Sequence, residues 1–125
     1  MELILYLTDK KEVDITEDLI LRAKNTNILV CYFLDENDNA VDITGDELYF
    51  MVKDKSSAVT AKINKKITTF TNPTGGEHDL ELTNIDTANL LGNYLWQLKI
   101  KHESKWYTLK EGNITFRKSI ILRES

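Results

Sequence analysis

The segment 94–101 constrains the fold more than any other part of the sequence, because it has the clearest alternation of residue types. The even-numbered positions carry Tyr94, Trp96, Leu98 and Ile100, and the odd-numbered positions carry Leu, Gln and two Lys residues. Successive side chains of a β-strand point to opposite faces of its sheet. The pattern therefore predicts a half-buried strand whose aromatic face lies in the core.

Similar segments recur along the whole chain, rich in β-branched and aromatic residues and separated by turn residues. The segments 36–39 and 72–76 have turn composition, Gly112 marks a further turn or bulge, and one short helical turn is predicted near 86–91. The predicted strands are 3–7, 19–22, 28–34, 48–53, 59–63, 78–83, 94–101, 106–109 and 114–122. This spacing predicts an all-β fold: an immunoglobulin-like antiparallel β-sandwich with about seven to nine strands and at most one short helical turn.

The chain length is typical of one domain. The sequence has 125 residues, so we interpret residues 1–125 as a single sandwich domain, with residues 1–23 as N-terminal strands or an arm that packs on it. Its one cysteine, Cys31, cannot form an internal disulfide. We therefore expect packing and hydrogen bonds to hold the fold, with Cys31 as a buried thiol.

Charge, hydropathy and motif content argue against several classes of function. A net charge of −4 provides no general attraction to nucleic acid. No apolar run approaches the ~20 residues of a membrane-spanning helix, and the N-terminus lacks the basic region of a signal peptide, which favours synthesis without secretion. His78 and His102 are far apart and belong to no motif of nucleophilic or zinc-dependent catalysis. We expect no enzymatic activity, no catalytic residues, no cofactor, and no nucleic-acid or membrane partner.

The acidic segment 35–39, with Asp46 at the twelfth place, partly matches the spacing of a calcium-binding loop. It lacks the Gly that forms the sharp turn at the sixth place, and it has Asp where a bidentate Glu is expected. We therefore interpret it as a solvated hairpin loop and expect no metal site.

The predicted strands 28–34 and 48–52 are apolar at consecutive positions, and so on both faces. A two-layer sandwich covers only one face of each sheet. The second face is covered either by the predicted strand 3–7 and loops or by another subunit of a homo-oligomer. For one choice of register, the candidate interface residues are Tyr32, Leu34, Tyr49 and Met51.

Two further groups of residues have a recognisable pattern. Trp106 and Tyr107, beside the predicted turn 102–105, form a candidate platform for a sugar ring, with cross-strand packing in a hairpin as the alternative.

Gly92, Tyr94 and Trp96 form a structural corner. In immunoglobulin-like domains a Tyr at this place bonds back to upstream backbone, here expected near 86–90, and Trp96 takes the position of the second disulfide Cys.

The order of these segments resembles the immunoglobulin-like N-terminal domain of the baseplate upper protein and related tail structural proteins of tailed phages and prophages. The resemblance covers about residues 24–125, and the matching pieces are 24–26, 28–34, 35–39, Val-Asp-Ile-Thr-Gly at 41–45, Leu-Leu-Gly-Asn-Tyr at 90–94, 94–102, 108–112 and 114–116. It implies a virion structural protein of the baseplate, tail, connector or head that contacts other virion proteins in a symmetric assembly. The alternative hypothesis is a carbohydrate- or host-surface-binding module.

Overall fold

In the computed structural model, which describes residues 1–54 and 60–118, the chain folds into eight β-strands. The strands are β1 (Glu2–Tyr6), β2 (Leu19–Arg22), β3 (Asn27–Leu34), β4 (Glu47–Lys53), β5 (Ile63–Ile67), β6 (Glu77–Leu82), β7 (Gly92–His102) and β8 (Lys105–Arg117). These ranges contain no helix, and the predicted helical turn near 86–91 is a series of hydrogen-bonded turns. The all-β fold predicted from the sequence is confirmed.

The strands form two sheets that pack as a sandwich. One sheet has three strands in the order β1-β3-β6, and the other has five in the order β2-β8-β7-β4-β5. Most neighbours are antiparallel, but β1 pairs with β3, and β2 with β8, in parallel. The expectation of a purely antiparallel sandwich is therefore wrong at the N-terminus. Residues 1–23 supply an edge strand to each sheet, so the segment 3–7 extends a sheet and covers no face.

Two predicted strand assignments differ from the structure. The predicted strand 59–63 is placed too early: among its described residues only Ile63 is in a strand, as the first residue of β5, which continues through Asn-Lys-Lys, while Val59 lies outside the described residues. Such a polar run is typical of an edge strand, whose composition hides it from a search for apolar residues. The predicted strands 106–109 and 114–122 form one continuous strand, β8, and residues 119–122 lie outside the described part of the chain.

The sequence context of Gly112 predicted a turn or bulge there, and this prediction is wrong. The β7–β8 register shifts between Leu98 and Lys99, and the extra residue on β8 is Leu109. Gly112 instead allows close approach of the N-terminal segment, because a Cβ atom added there would lie 2.4 Å from the carbonyl oxygen of Glu17. A glycine is required here by space.

The core lies between the two sheets, where the alternation of β7 places Trp96, Leu98 and Ile100. Phe116 of β8 is buried beside them, while Tyr94 is only partly buried and contacts Phe116 edge to face. The Trp96 indole is 2% exposed, and its Nε1 donates a hydrogen bond of 2.8 Å to the Glu17 carbonyl. Trp96 therefore joins the core of the sandwich to the N-terminal segment.

Trp96→Ala should lower the free energy of unfolding by about 3–5 kcal/mol, because the surrounding side chains cannot close the cavity that it leaves. Trp106→Ala is the matched control, since that indole is 51% exposed, and it should cost about 1 kcal/mol or less. Chemical denaturation of both variants measures the difference. Equal losses would contradict the placement of Trp96.

Candidate functional site: the two outer faces of the sandwich

The outer face of the three-stranded sheet carries an apolar stripe with acidic residues beside it. The stripe is on the central strand β3, at Ile28, Val30, Tyr32 and Leu34. On both sides the register places carboxylates, and we call this surface the acidic face, defined by the stripe and by Glu2, Glu77, Asp79 and Glu81. Within residues 1–54 and 60–118, none of these four carboxylates forms a salt bridge.

Tyr32 lies in the middle of this negative charge. Its hydroxyl donates a hydrogen bond of 3.3 Å to the Glu2 carboxylate. The pKa of the Tyr32 hydroxyl is raised, first by the charge of Glu2 and then by desolvation, by that hydrogen bond and by the charges of Glu77 and Asp79. The acidic face therefore favours contact with cations or cationic side chains.

The outer face of the five-stranded sheet has the opposite character, and most of its basic residues lie toward the β7–β8 turn. We call this surface the basic face, defined by the outward side chains Tyr49, Met51, Lys53, Lys66, Lys99, Lys101 and Trp106. The rings of Tyr49 and Trp106 lie 5.3 Å apart. Lys99 and Lys101 place their Nζ atoms 5.8 and 5.9 Å from the Trp106 ring centroid, within the range of cation–π attraction.

Glu47 is the acidic residue at this end of the basic face. It accepts a hydrogen bond of 2.8 Å from the Tyr49 hydroxyl, and its carboxylate lies 3.9 Å from the Lys66 Nζ. That hydrogen bond, together with the charges of Lys66 and Lys101, lowers the pKa of Glu47. Next to this cluster, Met51, Leu95 and Glu111 help to line an open cavity of about 440 Å³.

The four candidate interface residues do not form one surface. Tyr32 and Leu34 lie on the acidic face, whereas Tyr49 and Met51 lie on the basic face, on the opposite side of the sandwich. The sequence pattern treats β3 and β4 alike, but they belong to different sheets, whose outer faces point away from each other. All four side chains are half-buried.

The predicted two-ring platform is not formed. Trp106 and Tyr107 are consecutive in β8 and point to opposite faces: Trp106 outward and Tyr107 toward the core. The ring that does lie beside Trp106 is Tyr49 of β4, two strands away in the sheet order. The sequence contains no signal for this pair, because it does not reveal which strands are neighbours.

The predicted corner residues lie at the start of β7. The Tyr94 hydroxyl donates a hydrogen bond of 3.3 Å to the carbonyl of Leu91, one residue beyond the expected range 86–90. Gly92 has φ +100°, a backbone conformation that residues with a Cβ rarely adopt. These contacts shape the entry into β7 and carry no reactive chemistry.

The polar groups with catalytic or metal-binding potential are dispersed and held by other partners. Desolvation raises the pKa of the buried Cys31 thiol to about 12. His102 Nδ1 lies 2.6 Å from the Asp46 carboxylate, and burial raises the pKa of Asp46. Sequence analysis missed this pair, which joins the turn before β4 to the β7–β8 hairpin. His78 contacts Thr71 instead.

The two aspartates of the acidic loop 35–39 accept hydrogen bonds from within the protein. Asp35 Oδ1 accepts hydrogen bonds from the backbone N–H groups of Asn37 and Asn39, at 2.8 and 3.0 Å. Asp38 accepts hydrogen bonds from the Tyr6 hydroxyl and the Lys11 ammonium. In the part of the chain that the structure describes, no group of three or more His, Cys, Asp or Glu residues could hold a metal ion.

The fold and these two faces define a two-sheet β-sandwich with chemically different outer surfaces. No family model matches the sequence, and no curated protein matches it. Twelve chains of solved structures match. Among the described residues there is no helix of the length and apolarity needed to cross a membrane.

One of these chains is the N-terminal domain of phage TP901-1 ORF48, with 12% sequence identity and a TM-score of 0.53, covering 94% of this chain and 97% of that chain. The two proteins share a fold. Auracyanin A, a blue copper protein from Chloroflexus aurantiacus, has 12% identity and a TM-score of 0.40, with 94% and 98% of the two chains covered. A score this low supports no inference about function.

Calcium at millimolar concentration should leave the melting temperature unchanged, and chelators should have no effect. The reason is that the Asp35 and Asp38 oxygens already accept hydrogen bonds from within the protein, and Asp46 lies against His102. Differential scanning fluorimetry with calcium, with magnesium as a control for ionic strength, measures this. A clear rise with calcium alone would contradict it.

Proposed function

We propose that this chain is a non-enzymatic structural module of a tailed-phage virion that makes protein–protein contacts in a symmetric assembly. The observation that carries the proposal is the fold shared with the N-terminal domain of phage TP901-1 ORF48 over 94% of this chain. The resemblance of its turn and strand motifs to the baseplate upper protein family supports the same role. We propose that the chain is located in the virion, as part of the baseplate, tail, connector or head.

The chemistry of the surface supports contact formation over catalysis. The two faces place half-buried aromatic and aliphatic side chains beside charged residues, a combination found at protein interfaces. The polar groups with catalytic potential are instead buried or paired, as Cys31 and the Asp46–His102 pair illustrate. These features favour a binding role for the outer faces.

A second candidate function is carbohydrate or host-surface binding on the basic face. The observation that favours it is the half-exposed Trp106 ring beside Tyr49, with Lys99 and Lys101 close by. Aromatic rings stack on sugars, and the lysines would attract an anionic glycan. Binding of purified host cell-wall polysaccharide by the parent protein and its loss in Trp106→Ala would favour this candidate over the first.

The structural role predicts that the chain is part of the finished particle. Mass spectrometry of gradient-purified virions should detect its peptides at a fixed ratio to other structural proteins. A phage replication protein and an abundant host protein, both removed by purification, serve as controls. If the chain occurs in the infected-cell lysate but is absent from purified particles, the proposed role is wrong.

A further inference from the structure

The outward residues of the three-stranded sheet combine one sign of charge with an apolar stripe. Four carboxylates point outward beside β3: Glu2, Glu77, Asp79 and Glu81. No lysine or arginine points outward from these three strands. Exposure of the stripe to water costs free energy. A contiguous apolar patch with a polar rim is typical of an interaction site.

The basic face carries the complementary charge on a chain whose total charge is negative. Lys53, Lys66, Lys99 and Lys101 point outward from β4, β5 and β7, against two carboxylates, Glu47 and Glu111. The chain as a whole has a net charge of −4. A cationic cluster on an acidic protein is attracted to acidic surfaces, including the opposite face of another copy.

Both faces also offer apolar area at their centres. The stripe on the acidic face includes Val30 and Tyr32, and the basic face has Tyr49, Met51 and Trp106, of which Met51 also lines the 440 Å³ cavity. Stacking one face on the other would cover both apolar regions and bring carboxylates opposite ammonium groups.

We propose that copies of this chain associate head to tail, with the acidic face of one copy on the basic face of the next. This inference rests on the proposed structural function and names a second copy of the chain as a partner. Since the two faces lie on opposite sides of the sandwich, each copy contacts two neighbours. Such a heterologous contact closes into a ring or continues as a filament. A symmetric dimer through either face would oppose like charges.

The size of the contact predicts its strength. The strands of the acidic face have five to eight residues, and at about 3.3 Å per residue and 4.8 Å between strands they cover roughly 300 Å². Two such faces bury roughly 600 Å², below the ~1,200–2,000 Å² of stable complexes. The association is therefore weak, concentration-dependent and weakened by salt, and it gains from ring closure.

Sedimentation analysis of the full chain from micromolar to millimolar concentration at low ionic strength tests the proposal. The average mass of the parent should rise with concentration and fall again on addition of salt. Two double variants should each remain monomeric: Lys99→Glu with Lys101→Glu, and Asp79→Lys with Glu81→Lys. An equimolar mixture should associate again, because the first variant retains its acidic face and the second its basic face.

Control variants change charge outside both faces. Lys10→Glu with Lys118→Glu, and separately Glu12→Lys, should associate like the parent. Circular dichroism and the melting temperature verify that all variants fold. A monomeric parent at every concentration would overturn the head-to-tail contact, as would loss of association in only one of the two face variants.

The outcome is separable from that of the virion experiment. If the chain is found in purified particles but the isolated protein is strictly monomeric, the contact between copies is refuted and the structural role is not. Head-to-tail association of a protein absent from virions would refute the structural role.

Discussion

The indole of Trp96 lies where the five-stranded sheet meets the N-terminal segment, and it holds that segment against the edge of the sheet. It sits between Val52 and Gly112 in the β4-β7-β8 register, and its Nε1 donates to the Glu17 carbonyl. The missing side chain of Gly112 leaves space for the same carbonyl oxygen. A large residue on β7 and the smallest residue on β8 thus form one site for the incoming backbone.

The N-terminal segment pairs with β8 beside this contact. The backbone N–H of Glu17 donates to the carbonyl of Glu111, whose own N–H donates to the carbonyl of Ile15. The chain then continues in parallel along β8 as β2, while β1, from the same N-terminal region, is at the edge of the other sheet. The segment between β1 and β2 therefore links the two layers.

The sequence predicts what depends on a strand's own residues and fails where the neighbour matters. The alternation of β7 correctly predicts that Trp96, Leu98 and Ile100 are buried, because the pleat alone decides which side chains share a face. No local pattern assigns β3 and β4 to different sheets, so Tyr32 and Tyr49 were expected on one surface. Distant parts of the chain likewise set the parallel pairing of β1 with β3 and of β2 with β8, the polar edge strand β5 and the Tyr49–Trp106 contact. Because one sandwich fold serves many functions, it is the chemistry of the acidic and basic faces that a functional proposal must use.

The most direct test of this account is the exchange of the two tryptophan indole N–H groups, followed by NMR after transfer into deuterated buffer. The chain has two tryptophans, and Trp106→Phe assigns their two resonances. The Trp96 Nε1–H is buried and hydrogen-bonded to Glu17, so its exchange should require opening of the sandwich and proceed orders of magnitude more slowly than that of Trp106. Rapid exchange of both resonances would contradict the buried contact between Trp96 and the N-terminal segment that leads into β2.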